Sequence, residues 1–218
     1  MSDQPAKEKL VTALLEQQGQ TFAEEIGFDL GQNTPSPLFR LLCASILFST
    51  RISADLAVKA AKALTEEGWT TAENMVASTW EARTRALNEA GYARYDESTS
   101  RMLGETAGLC VERYGGDLRK LRDEAERDPK KERRLLKEFK GLGDVGADIF
   151  FREVQAVWDE LYPFADKKTL KAAERLGLAD DAETLASLVD KGEFPRLVAA
   201  LVRCDLDNNY DQIEARAT

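Results

Sequence analysis

Lys137-Glu138-Phe139-Lys140-Gly141-Leu142-Gly143-Asp144-Val145-Gly146-Ala147-Asp148 is the stretch that says most about the fold. A helix reads up to it, Gly-Leu-Gly makes a corner, and an apolar helix follows. Glycines on both sides of Leu142 allow positive φ and close backbone approach. Leu142 is the apolar side chain that pins the corner to a core. The second helix then presents unpaired N–H groups at its N-terminus, a geometry suited to an anion such as phosphate. Taken alone, the same residues equally describe a tight helix–helix corner that binds nothing.

Outward from this corner almost everything reads helical. Residues 7–18 put Leu10, Val11, Leu14 and Leu15 on one face. A Gly-, Asn-, Ser- and Pro-rich break covers residues 27–37, and Pro37 opens an apolar, central helix through Leu38, Leu41, Leu42, Ser45 and Ile46. Ser53 is expected to cap a helix to about Glu67, and Thr71 or Ser78 the next short ones. Further helices are predicted over residues 82–90, 97–114, 118–126, 131–140, 149–161, 167–176, 182–191 and 194–205, with a tight turn at 141–146. No stretch alternates as a strand, and no repeat appears. The fold class is all-α.

Composition limits the chemistry. The 218 residues include 30 Lys plus Arg, 39 Asp plus Glu and no histidine, for a net charge of −9. Without imidazole there is no Ser-His-Asp or Cys-His hydrolase and no His-ligated metal. Proton chemistry falls to carboxylates, Lys, Tyr or Cys. Cys43, Cys110 and Cys204 are scattered, which fits reduced buried thiols in a cytoplasmic protein. The longest apolar run, Leu41 to Phe48, is too short to span a bilayer, and the first residues lack the layout of a signal peptide. A cytoplasmic location with no membrane partner is therefore expected. Charge is uneven: Arg119 to Lys140 holds ten basic and six acidic residues, +4, which leaves −13 elsewhere. Lys130, Lys131, Arg133, Arg134 and Lys140 are the basic contact candidates for a polyanion in this window. A solvated helix with intrahelical ion pairs describes them equally well.

The pattern hydrophobic-x-Gly-hydrophobic-Gly-x-x-x-Ala resembles the helix-hairpin-helix of the endonuclease III superfamily of DNA glycosylases. Asp166, in Tyr162-Pro163-Phe164-Ala165-Asp166, follows Gly143 by twenty-three residues, similar to that family's spacing. Pro37 to Ser49 is similar to its first barrel helix, and Gly91-Tyr92-Ala93-Arg94-Tyr95 through Met102 to its Gly-aromatic segment. The resemblance spans residues 37–178. It implies a two-lobed helical fold, with a barrel lobe over 37–150 that ends in the hairpin and a second lobe from 1–36 plus 151–218. It implies a DNA cleft between the lobes, with double-stranded DNA as partner.

Site roles follow from the same resemblance. Asp166 takes the catalytic position, where a carboxylate stabilises the cationic sugar and orients water as an N-glycosidic bond breaks. On local grounds Asp166 is also a good N-cap. Gly141, Leu142, Gly143, Val145 and Gly146 would hold a DNA phosphate, and Arg51 would fill the gap left by a flipped base. Tyr92, Tyr95, Trp158, Tyr162 and Phe164 could stack a base or simply pack the core. Three departures sharpen the expectation. Val145 stands where bifunctional members carry a Schiff-base lysine, so base removal would be monofunctional. Only Cys204 lies in the C-terminal region, so no iron–sulfur cluster is expected. Lys167 and Lys168 stand where the family often has histidine. No side-chain metal site is expected, while a monovalent cation at the hairpin carbonyls fits the resemblance. The alternative function is a non-catalytic helix-hairpin-helix module that binds DNA or docks a protein.

Overall fold

Side-chain caps start many of the helices, and glycines or left-handed residues stop several. In a computed structural model, which describes residues 4–217, the chain forms α1 (Gln4–Gln18), α2 (Phe22–Ile26), α3 (Pro35–Phe48), α4 (Ala54–Glu66), α5 (Ala72–Ala77), α6 (Trp80–Glu89), α7 (Asp96–Tyr114), α8 (Arg119–Glu124), α9 (Pro129–Leu136), α10 (Asp144–Val154), α11 (Lys167–Arg175), α12 (Ala182–Ala186), α13 (Phe194–Asp207) and α14 (Tyr210–Arg216). Two 3₁₀ turns, Leu30–Gln32 and Asp159–Leu161, complete the order, and no strand occurs among the described residues. The fold is all-α. No helix among those residues is long and apolar enough to cross a membrane.

Several boundaries differ from the sequence expectation for identifiable reasons. Ser78 ends α5 rather than starting a helix, and Thr79 caps α6 by accepting from the Ala82 N–H at 3.1 Å. The helix expected at 149–161 starts five residues earlier, at Asp144, and stops at Val154. There the Gln155 amide turns to bond Arg152 and Phe164. The central helix begins at Pro35, since Pro suits the first turn. The pieces expected at 118–126, 131–140 and 182–191 are shorter, ending at Glu124, Leu136 and Ala186. Two short helices, α2 and α14, lie where none is expected.

Apolar side chains gather into two cores. The first is built around α3, with Leu38, Leu42 and Ile46 against Leu103 of α7, Leu136 of α9 and Phe150 of α10. The second joins both ends of the chain: Leu14 of α1 packs with Ala173 of α11, Leu197 and Leu201 of α13, and Ile213 of α14. Ala23, Ile26, Phe28 and Leu30 belong to the first core, as do Phe151, Val154, Trp158 and Leu161. The division at residues 36 and 150 expected from sequence puts all eight with the second lobe. For the first four, the segment is held to this core by α10. The Phe22 and Ala23 N–H groups donate to the buried Glu153 carboxylate at 2.8 and 3.0 Å. Tyr92 and Trp158 are buried in the first core, so they pack rather than present a stacking face.

Candidate functional site

The hairpin at Gly141 is shaped by what its glycines avoid. Gly141 has φ +86°, and a Cβ there would lie 2.7 Å from Met102 Sδ and 3.3 Å from Ile46 Cγ2. Both the left-handed backbone and the close approach require glycine. Leu142 is buried and anchors the corner, as its position predicts. A Cβ on Gly146 would meet Leu142 Cδ1 and Ser49 Oγ at 2.8 Å, so α10 lies hard against the end of α3. Gly143 is the N-cap of α10 and supplies no side chain to its free N–H groups, while Val145 in the first turn is 61% exposed. The hairpin thus turns an uncapped helix N-terminus toward solvent, the arrangement that receives an anion.

Neighbouring charges modify that face. Lys137 Nζ holds Asp144 at 2.7 Å, and Arg133 holds Asp148 at 2.6 Å while lying over the Phe151 ring. Lys131 pairs with Glu126. Lys130, Arg134 and Lys140 are exposed. Asp144 is exposed, and its carboxyl is held below the ordinary value by Lys137. A phosphate at the α10 terminus would therefore share Lys137 with Asp144 rather than meet an unopposed basic surface.

Behind the hairpin, a cavity of about 270 Å³ opens where the two cores meet. Its wall is apolar over most of its extent: Phe48 and Ile52 from one side, Ile149 from α10, Ala199, Val202 and Leu206 from α13. Val145 and Leu206 (46% exposed) stand on this wall. Arg51 is exposed between two wall residues, Thr50 and Ile52, so the sequence-expected gap filler sits at the rim.

Asp166 is the N-cap of α11, where its Oδ1 accepts from the Thr169 N–H (3.2 Å) and the Thr169 hydroxyl (2.7 Å). Arg152 reaches it from α10 with two parallel bonds, Nε to Oδ1 at 3.0 Å and Nη2 to Oδ2 at 2.5 Å. Only 8% of the Asp166 side chain and 11% of the Arg152 side chain are exposed. Burial pushes the Asp166 carboxyl up, but the Arg152 guanidinium and the Thr169 bonds outweigh it and hold the group below the ordinary aspartate value. Asp166 does not itself line the cavity; Arg152 does, and stands between the two. Gln155 fixes this junction by bonding the Phe164 N–H and carbonyl at 2.9 Å each.

The residues singled out by sequence thus divide. The structure brings Val145, Arg51 at the rim and, through Arg152, Asp166 to one cleft. Lys168 lines the same cleft and pairs with Asp205 at 2.7 Å, while Lys167 is exposed. Arg152, Glu153 and Gln155 escape sequence reading, although Val145, Ile149 and Arg152 recur at helical spacing along α10. Among the described residues no three His, Cys, Asp or Glu side chains are placed to hold a metal ion, and all three cysteines are buried and free.

No protein-family model matches the chain, and no curated protein matches it. Solved structures do. One is a non-covalent endonuclease III–DNA complex, 18% identical, with 89% of this chain and 80% of that chain covered at a TM-score of 0.55. Another is a trapped endonuclease III–DNA covalent intermediate with an estranged adenine, 21% identical, with 77% and 73% covered at a TM-score of 0.50. The cleft and glycine hairpin described above thus sit in a chain whose fold is that of endonuclease III.

Proposed function

We propose that this protein binds double-stranded DNA and removes a damaged or mismatched base by hydrolysis, as a monofunctional DNA glycosylase. The observation that carries this reading is the cleft between the cores, with a rigid ionised carboxylate, Asp166, one side chain behind its wall. The N-terminus of α10 would take a backbone phosphate through the Val145 and Gly146 N–H groups, with Gly141, Leu142 and Gly143 shaping the approach. Lys130, Arg134 and Lys140 would add contacts that weaken with salt. A monovalent cation at the hairpin carbonyls is compatible with this arrangement, because main-chain oxygens suit hard cations. Arg51 would occupy the space vacated by an extruded base.

In the reaction, a water oxygen bonds to the anomeric carbon while that carbon's bond to the base nitrogen breaks; the base leaves with the bond's electron pair and takes up the proton the water gives up. Positive charge develops on the sugar, and a fixed carboxylate opposes it. Val145 supplies no amine, so no imine forms at that position and strand cleavage through it is not part of the proposal. Base release measured across duplexes carrying single lesions or mismatches tests the reading. Asp166→Asn is expected to lower it by about 10²–10⁴-fold.

The Arg152–Asp166 pair favours a second reading. A carboxylate already neutralised by a guanidinium offers little field to a developing cation until the pair parts. In that case the protein is a non-catalytic module that binds DNA or docks a protein. Salt-dependent duplex binding without base release from any substrate would select DNA binding without catalysis.

A further inference from the structure

Away from the cleft, three ionisable side chains meet where α8, α9 and the 3₁₀ turn at Asp159–Leu161 join. Glu132 of α9 is fully buried, and neither of its oxygens has a donor partner among the described residues. Arg122 of α8 is the cation of this junction, and its Nε and Nη2 both bond Glu160 of the turn, at 2.6 Å each. The Glu160 carboxyl lies within hydrogen-bond reach of Glu132 as well. Arg122 also lies over the Trp158 ring, whose buried indole N–H has no acceptor. The surrounding charges give no help to a second anion. Asp128, at the start of α9, accepts from the Lys130 and Lys131 N–H groups, and Asp159 pairs with Lys191. The helix α10 also packs on α9, and its Asp144 and Asp148 are held by Lys137 and Arg133. Two carboxyl groups thus face one guanidinium that is already committed to one of them.

We infer that Glu132 is a carboxylic acid at neutral pH, that it donates its proton to the Glu160 carboxylate, and that this bond is a pH-sensitive clasp holding α9 to the turn. An ionised carboxylate buried without a donor is costly. The acid form instead makes an O–H···O⁻ bond, among the stronger kinds. None of this depends on the DNA reading. Burial is the largest influence on Glu132, and the bond to Glu160 the next; together they push its pKa up to about 8. Burial raises Glu160 too, but the Arg122 bonds outweigh it and hold that group low. The pair therefore keeps one proton between its two carboxyls across the neutral range. Because Glu132 is raised above its ordinary 4.5, its contribution is complete below that value and is lost as pH rises through the folded one. Ionised Glu132 then meets Glu160 as a like charge, and α9 loosens. That helix is the first of the Gly141 hairpin, so the clasp sets how firmly the hairpin is seated.

The test follows glutamate side-chain carboxyl carbons by ¹³C NMR from pH 5 to pH 9.5. One of them is expected to titrate above pH 7, and to be missing in Glu132→Gln, whose amide N–H replaces the acid proton. Hydrogen exchange at residues 133–136 reads the clasp. The wild-type rate, divided by the Glu132→Gln rate at the same pH, is expected to rise by about tenfold or more from pH 6 to pH 9. Glu160→Gln removes the negative charge beside Glu132 and leaves Arg122 free to meet it, so the upper titration is expected to move to lower pH. A wild type in which no glutamate titrates above pH 7 overturns the shared proton, as does an upper titration that persists in Glu132→Gln. An upper titration unmoved in Glu160→Gln overturns the pairing. An exchange ratio that stays flat with pH overturns the clasp.

Discussion

Glu153, on α10 and on the cleft wall, and Asp166, bonded to α10 through Arg152 behind that wall, are two buried carboxylates stabilised by different means. Glu153 is held by dipoles first: the first two N–H groups of α2 donate to its two oxygens, and the Arg203 charge adds a weaker pull without a direct bond. Burial is the larger influence and raises its pKa, against the pull of those N–H groups. Asp166 meets a full positive charge in Arg152 as well as the α11 terminus, and the balance tips the other way. Partial charges at a helix end offset only part of Glu153's desolvation, while a bidentate guanidinium, with the Thr169 bonds, more than offsets that of Asp166. The first contact ties α2 to the core; the second keeps a negative group ionised beside a cleft.

The largest expected effect comes from breaking the charged contact on one side only. Arg152→Ala leaves Asp166 buried and unpaired, which should destabilise the fold by about 3–5 kcal/mol. At about 2–4 °C per kcal/mol for a chain of this size, calorimetry should record a Tm lowered by roughly 6–20 °C. A Tm within 2 °C of wild type would mean the pair is dispensable. Glu153→Gln retains one acceptor and loses the other, so about 1–3 kcal/mol is expected from urea denaturation. If it proved as damaging as Arg152→Ala, the distinction between dipolar and ionic stabilisation would collapse.

Their pH dependences should have opposite signs. The folded pKa of Asp166 lies below the ordinary 3.8, so its contribution is complete above that value and is lost as pH falls through the folded one. The folded pKa of Glu153 lies above the ordinary 4.5. Its contribution is complete below 4.5 and fades as pH rises toward the folded value, because the unfolded chain releases the proton first. Urea midpoints taken from pH 3 to pH 8 should show Asp166→Asn flattening the acid side and Glu153→Gln flattening the upper side. Midpoint profiles that superimpose on wild type for both variants would refute the assignment. The smallest effect belongs to Lys168→Ala, which breaks a partly exposed pair with Asp205. It should cost no more than about 1 kcal/mol and should shrink further in high salt.

Much of the frame is legible in sequence because it depends on local chemistry. Gly141 and Gly146 carry their steric reasons with them, and Leu142 anchors as an apolar residue between glycines must. Ser53, Thr71 and Asp166 cap the helices that their side chains predict. The five-residue helix α2 is too short for periodicity to register, although Thr21 and Glu24 form a capping box that spells its start. What sequence does not reveal is the long-range pairing that defines the cleft. Nothing in the local sequence distinguishes the buried Arg152 from the surface arginines of an amphipathic helix, and its partner lies fourteen residues away across a bend made by Gln155. The basic row likewise reads as a surface for phosphate, yet Arg133 and Lys131 are engaged by Asp148 and Glu126. Charge counts carry no information about which neighbours fold back on one another.

The second core draws Leu14 from the start of the chain and Leu197, Leu201 and Ile213 from near its end. During synthesis α1 is thus made well before its partners in α11, α13 and α14. Until α13 emerges, the apolar face of α1 has no native surface to cover it, while the core around α3 can already close. Ribosome-bound nascent chains should accordingly acquire protease resistance in two steps, the segment from α2 to α10 before the ends of the chain. The cleft, which needs walls from both, is completed only when the two ends meet.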